Sequence, residues 1–90
     1  MVNRIRALKI ANDFLGDKNL IITAFAESNL SFIFDYRYKT IKNGHVMYKP
    51  LIDNTMIEVD KSTGTATNYI ITEHLKELSQ LKFIKIQDAK

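Results

Sequence analysis

The sequence predicts an α+β domain: an antiparallel sheet of about four strands, an N-terminal helix packed on one face, and a short C-terminal helix. Three observations carry this. Residues 3–16 place apolar side chains at helical spacing between an asparagine and a glycine. Residues 30–39 alternate, with Leu30, Phe32, Phe34, Tyr36 and Tyr38 on every second position. Residues 55–70 read as two short strands around a glycine turn. Ninety residues make one domain with a small core, and 46% hydrophobic residues suffice to build it.

In the first helix Asn3 is the cap, Ile5, Leu8, Ala11 and Leu15 form the buried stripe, and Ala7 and Phe14 widen it. Gly16 is the stop. A basic amphipathic helix can serve a membrane surface or a partner. A greasy sheet follows at once, so packing across that sheet is the expected role. Residues 17–19 form a turn. Residues 20–26 are apolar on both sides, which predicts an interior strand. Residues 27–29 connect it to the alternating strand, whose Ser31, Asp35, Arg37 and Lys39 lie opposite the aromatics with Ile33 as the apolar exception. That strand is expected to be packed on one face and wet on the other.

Asn43-Gly44 is a strong turn signal, since both residues tolerate positive φ. Residues 46–49 read as a short strand or an extended arm, and Pro50 ends regular pairing. Residues 40–54 are the least regular interval, and irregular segments on a rigid scaffold often carry binding residues. Residues 55–60 and 65–70 pair through the turn at 61–64. Thr72 caps the second helix, with Leu75, Leu78 and Leu81 at helical spacing. Residues 82–90 end the chain as a final strand or a protruding tail.

The chemistry-bearing residues are sparse. Thirteen basic and ten acidic residues give a net charge of +3, short of a dense nucleic-acid-binding stripe. There are no cysteines, which excludes disulfides, thiolate metal sites and cysteine nucleophiles. No apolar run approaches the roughly 20 residues of a membrane span, and the N-terminus lacks a signal-peptide core. These features point to a cytoplasmic protein. His45 and His74 have no second histidine at metal-ligand spacing, so no metal or cofactor is expected. Asp35 and Arg37 share a face and can pair. Asp53, Glu58 and Asp60 do not make a calcium loop, and the turn at Gly64 lacks the spacing of a phosphate loop. Arg37, Lys39, Lys42, Lys49 and the tyrosines can form a basic aromatic surface, but core packing explains Tyr36 and Tyr38 better than nucleic acid does. No nucleophile stands beside a base. A compact module without an active site is expected to bind another macromolecule.

The leading helix, the aromatic hairpin, the run Val59-Asp60-Lys61-Ser62-Thr63-Gly64 and the closing helix resemble the small bacterial immunity proteins of the YrhB-like type. The layout is also similar to the streptopain-inhibitor type of cysteine protease inhibitor. The resemblance implies a cytosolic, non-enzymatic protein, monomeric when free, that neutralises a cognate enzyme by lying in its cleft. It implies two candidate contacts. One is the tail, with Phe83, Ile84 and Lys85 as a substrate-like stretch and Ile86 and Gln87 as a second register. The other is the loop of Ile41, Asn43, Gly44, His45 and Tyr48. An edge strand closing the sheet is the alternative for the tail. A chaperone-like binding protein, or an immunity protein against a non-protease toxin, is the alternative function.

Overall fold

The structure, a computed structural model, describes residues 1–17, 19–49 and 55–86. Helix α1 spans Arg4–Leu15, followed by strands β1 (Leu20–Glu27), β2 (Ser31–Lys42), β3 (His45–Lys49), β4 (Thr55–Asp60) and β5 (Ala66–Ile70). A 3-10 turn (Ile71–Glu73), the single-turn helix α2 (Leu75–Leu78) and strand β6 (Ile84–Lys85) follow. The class is the expected one, α+β with an antiparallel sheet and an N-terminal helix. Among the described residues the sheet holds six strands instead of about four. Its path is β5-β4-β2-β1-β6, with β3 also on β2.

The two extra strands are β3 and β6. The arm at 45–49 is a strand, and part of the tail is an edge strand. Two segments share one edge of β2: β4 pairs at Ser31 to Phe34, and β3 pairs at Tyr38 to Lys42. The interval 40–49 is therefore regular, correcting the expectation of an irregular loop. The remainder of that interval, 50–54, lies outside the described residues.

Helix α1 starts where Asn3 accepts a hydrogen bond from the Arg6 N–H at 2.9 Å, and ends at Gly16 in the left-handed conformation, φ 63°. Its buried face keeps Ala7, Leu8, Ala11 and Leu15 of the predicted stripe and departs from it at Ile5 and Phe14. Ala7 and Ala11 are fully buried, while Ile5 is 77% and Phe14 43% exposed. The sheet supplies the bulk, through Phe25, Phe32 and Phe34, so the helix contributes small residues that let it come close. Leu8, Ile10 and Leu15 pack at the flanks. Arg4 lays its guanidinium 5.5 Å from the centre of the Phe25 ring.

The aromatic alternation of β2 holds from Phe32 onward. Phe32, Phe34, Ile57 and Val59 form the core under the helix, with ring centroids 6.3–6.4 Å apart for the Phe25–Phe34 and Phe32–Phe34 pairs. Tyr36 is half-buried against this core and Tyr38 reaches its exposed margin. Leu30 precedes the strand and is exposed. A β-bulge between Ile22 and Ala24 shifts the register of β1 against β2. The shift puts both Ile22 and Phe25 on the helix face, which strict alternation would forbid.

The opposite face is the larger surprise. Ala26, Ser31, Ile33 and Tyr69 are buried but stand outside the cluster under the helix. The chain leaves β5 at one edge of the sheet and resumes pairing as β6 at the other, so residues 71–83 must cross a face. The Tyr69 ring stacks on His74 of this crossing, which fixes the face as the one without α1. The expected wet face is thus covered over part of its length.

The β4–β5 turn closes beneath the helix. Asp60 accepts three hydrogen bonds, from the Ser62 hydroxyl (2.6 Å), the Ser62 N–H (2.8 Å) and the Thr63 N–H (3.0 Å). A Cβ on Gly64, φ 73°, would sit 3.3 Å from Val2 and 3.5 Å from Ile10, so glycine serves both the turn and the close approach. The Ser62 hydroxyl first, then the main-chain donors of Thr63 and Ser62, hold the Asp60 carboxyl below its ordinary value. A carboxylate with a lowered folded value stabilises the fold above its unfolded pKa and loses that contribution as pH falls through the folded one. Wild-type protein is therefore expected to melt above Asp60→Asn at neutral pH. The gap should close through the acidic carboxylate range in thermal melts followed by circular dichroism.

Candidate partner-binding surface

The ladder of β2 with β1 ends at Leu20 opposite Tyr38, and beyond Lys39, whose N–H donates to the Asn19 carbonyl at 2.6 Å, β2 pairs with β3 alone. The result is a two-stranded arm. Its tip is the two-residue turn predicted, with Asn43 at φ 54° and Gly44 at φ 78°, between Lys42 and His45. The register puts Ile41 beside Val46 and Lys39 beside Tyr48 on one face, and Thr40 beside Met47 and Lys42 beside His45 on the other. Ile41 is 70% exposed, and Val46, Met47 and Tyr48 are roughly half exposed.

The tail is held at the far edge of the sheet. Lys85 lies opposite Ala24 and Ile84 opposite Phe25, and the Ile86 N–H donates to the Thr23 carbonyl at 2.9 Å. This is the edge-strand alternative, with Gln87 outside the described residues. Alternation separates the tail's side chains, leaving Ile84 52% exposed on the helix side.

Arm and tail meet across the opposite face. Tyr48 from the arm and Phe83, Lys85 and Ile86 from the tail line one cleft of about 710 Å³. Its floor includes Ile21, Asp35 and Arg37. The Arg37 guanidinium donates to the Asp35 carboxylate at 3.2 Å, the pair foreseen from their spacing, and both side chains are partly buried. The cleft is therefore apolar at its walls with a paired charge at its base. Of the sequence-selected residues, the fold brings together Tyr48, Phe83, Lys85 and Ile86. Ile41 and His45 stay on the arm with Asn43 and Gly44 at its tip, away from the cleft lining.

Sequence reasoning missed the group that fastens the crossing. Tyr69 donates its hydroxyl to the Glu77 carboxylate, and His74 stacks on the Tyr69 ring at 4.2 Å between centroids. The Nδ1 of His74 lies 3.9 Å from Glu77. The available signal was the spacing of His74 and Glu77, three apart on a helical turn. Burial, and then the bond to Glu77, push the Tyr69 hydroxyl well above its ordinary value, so it stays a donor. Tyr69→Phe should cost about 1 kcal/mol, because Glu77 is half in solvent. It should speed amide exchange in the crossing more than in α1, as read by hydrogen–deuterium exchange.

No cluster of three or more metal-ligating side chains occurs among the described residues. None of the described helices is long and apolar enough to cross a membrane. Comparison of the chain with protein-family models, curated proteins and solved structures finds no match in any of the three.

Proposed function

We propose that this domain binds and blocks a cognate enzyme, with a papain-like, streptopain-type cysteine protease the favoured target. It acts in the cytoplasm, is monomeric when free, and works by occluding the enzyme's cleft without covalent chemistry. The observation that carries the protein-binding part is the meeting of the arm and the tail strand around one cleft, walled by Tyr48 and Phe83. Aromatic anchors at a partly desolvated centre, with charged residues around them, are what a protein interface needs. The choice of a protease rests on the resemblance in layout and on the Val59 to Gly64 turn.

The reading differs from a substrate-like tail. Residues 84–86 are paired to β1, so they present a fixed edge and a wall to the enzyme. The test is inhibition of streptopain-type and other papain-like proteases by the purified chain. Wild type should inhibit at stoichiometric excess. Phe83→Ser should weaken inhibition at least about tenfold, a loss near 1.4 kcal/mol, while Ile5→Ser, on the exposed side of α1, should not. No inhibition at micromolar excess of any of them would count against the protease as target. Equal effects of the two variants would remove the cleft from the mechanism.

A further inference from the structure

We propose that the outer edge of β3 takes an extended segment of the partner as an added strand, and that this segment alternates apolar and acidic residues. The inference rests on the protein-binding reading above and names how the partner is recognised.

The edge is built for addition. Among the described strands, β3 pairs only with β2. In a two-residue hairpin the residues flanking the turn, here Lys42 and His45, exchange their main-chain hydrogen bonds. Alternation down the ladder then turns the N–H and C=O of Val46 away from β2. Strand addition gives affinity through such groups and specificity through alternate side chains.

The side chains specify the pattern. On the cleft side the edge shows Val46 and Tyr48, backed by Ile41 and, behind Tyr48, by Lys39. On the other side it shows His45 and Met47, with Lys42 behind His45. An added strand would bury its apolar residues against the first set and direct its acidic residues toward Lys42 and His45.

Charge selects the occupant. Residues 36–49 contain Arg37, Lys39, Lys42 and Lys49 and no aspartate or glutamate. Among the described residues, no carboxylate lies within ion-pair distance of Lys39 or Lys42. A second copy of the chain is a poor fit, since two arms side by side would crowd like charges with no acid between them. A nucleic acid would satisfy the lysines but leave exposed Ile41, Val46 and Met47 without apolar partners.

The probe is a short capped peptide alternating glutamate and valine, titrated into the full chain with amide shifts and fluorescence anisotropy as readouts. Shifts should concentrate on 45–48, and a peptide with lysine for glutamate should bind at least about tenfold more weakly. Val46→Pro removes the outward N–H and should abolish binding. Lys42→Glu, at an exposed position, should reverse the preference between the two peptides and keeps the test decisive if the proline variant does not fold. Equal affinity for both peptides, or none for either, overturns the proposal. So does tighter binding of an oligothymidylate, or a dimer in sedimentation that Val46→Pro disrupts. The Phe83→Ser readout of the protease assay does not involve the outer edge of β3: inhibition sensitive to that substitution beside a failed peptide titration removes the edge mechanism alone. Failure of both removes the edge mechanism and the protease as target.

Discussion

Phe34→Ala is expected to destabilise the domain by about 3–5 kcal/mol, a loss comparable to the whole stability of a small domain. Phe34 is fully buried and sits at the centre of the core, in ring contact with both Phe25 and Phe32. It is flanked by Phe25 on β1 and Ile57 on β4. Truncation leaves a void between two ladders and the helix, and no long flexible side chain among its named neighbours can fill it. Chemical denaturation should show the midpoint falling steeply. Ile5→Ala, on the exposed side of α1, should change it by less than about 1 kcal/mol. A small effect at Phe34 would mean that the helix does not close this face.

Ile33→Ala carries the second large expectation, about 2–4 kcal/mol. Ile33 points away from the helix, onto the face that strand alternation alone assigns to water. It is 1% exposed, beside Ala26 on β1 and Glu58 on β4 in the sheet register. A wet position would make the substitution nearly neutral. The full cost is expected because residues 71–83 cross this face, with Tyr69, His74 and Glu77 as the fastening. Equilibrium denaturation in urea decides between the two. A change under about 1 kcal/mol would show the crossing to be loosely held.

These two residues mark the boundary of what local pattern reveals. Phe34 was legible because strand periodicity and aromatic content agree over 32–38. Asn3, Gly16 and Asn43-Gly44 were legible because caps and turns are set by the chemistry of single residues. Ile33 was not, because its burial depends on a segment that returns from nearly forty positions later in the chain. Two members of the α1 stripe, Ile5 and Phe14, went wrong for a related reason. The hydropathy of Ile5 and Phe14 outweighs that of Ala7 and Ala11, yet the sheet's own phenylalanines set how much bulk the helix can bring. Tails and arms are the hardest, since one short apolar stretch can pair with an edge or stand free. Residues 84–85 pair with an edge, and 45–49 pair with β2 while leaving an edge of their own.

The same distinction applies to the partner-binding surface. Tyr48 was selectable as a member of the loop after Ile41, and Phe83 as part of the substrate-like tail that the resemblance implied. Their meeting around one cleft follows from the crossing of 71–83, which carries Phe83 over the face to which Tyr48 points. Three-dimensional proximity of two separate candidates is the feature that the fold adds.

The most direct test of the central claim is an amide-exchange footprint of the full chain bound to an inhibited papain-like protease. The account predicts added protection at 39–48 and 83–86, with the outer side of α1 around Ile5 unchanged. Protection confined to α1, or none near the arm and cleft, would contradict it.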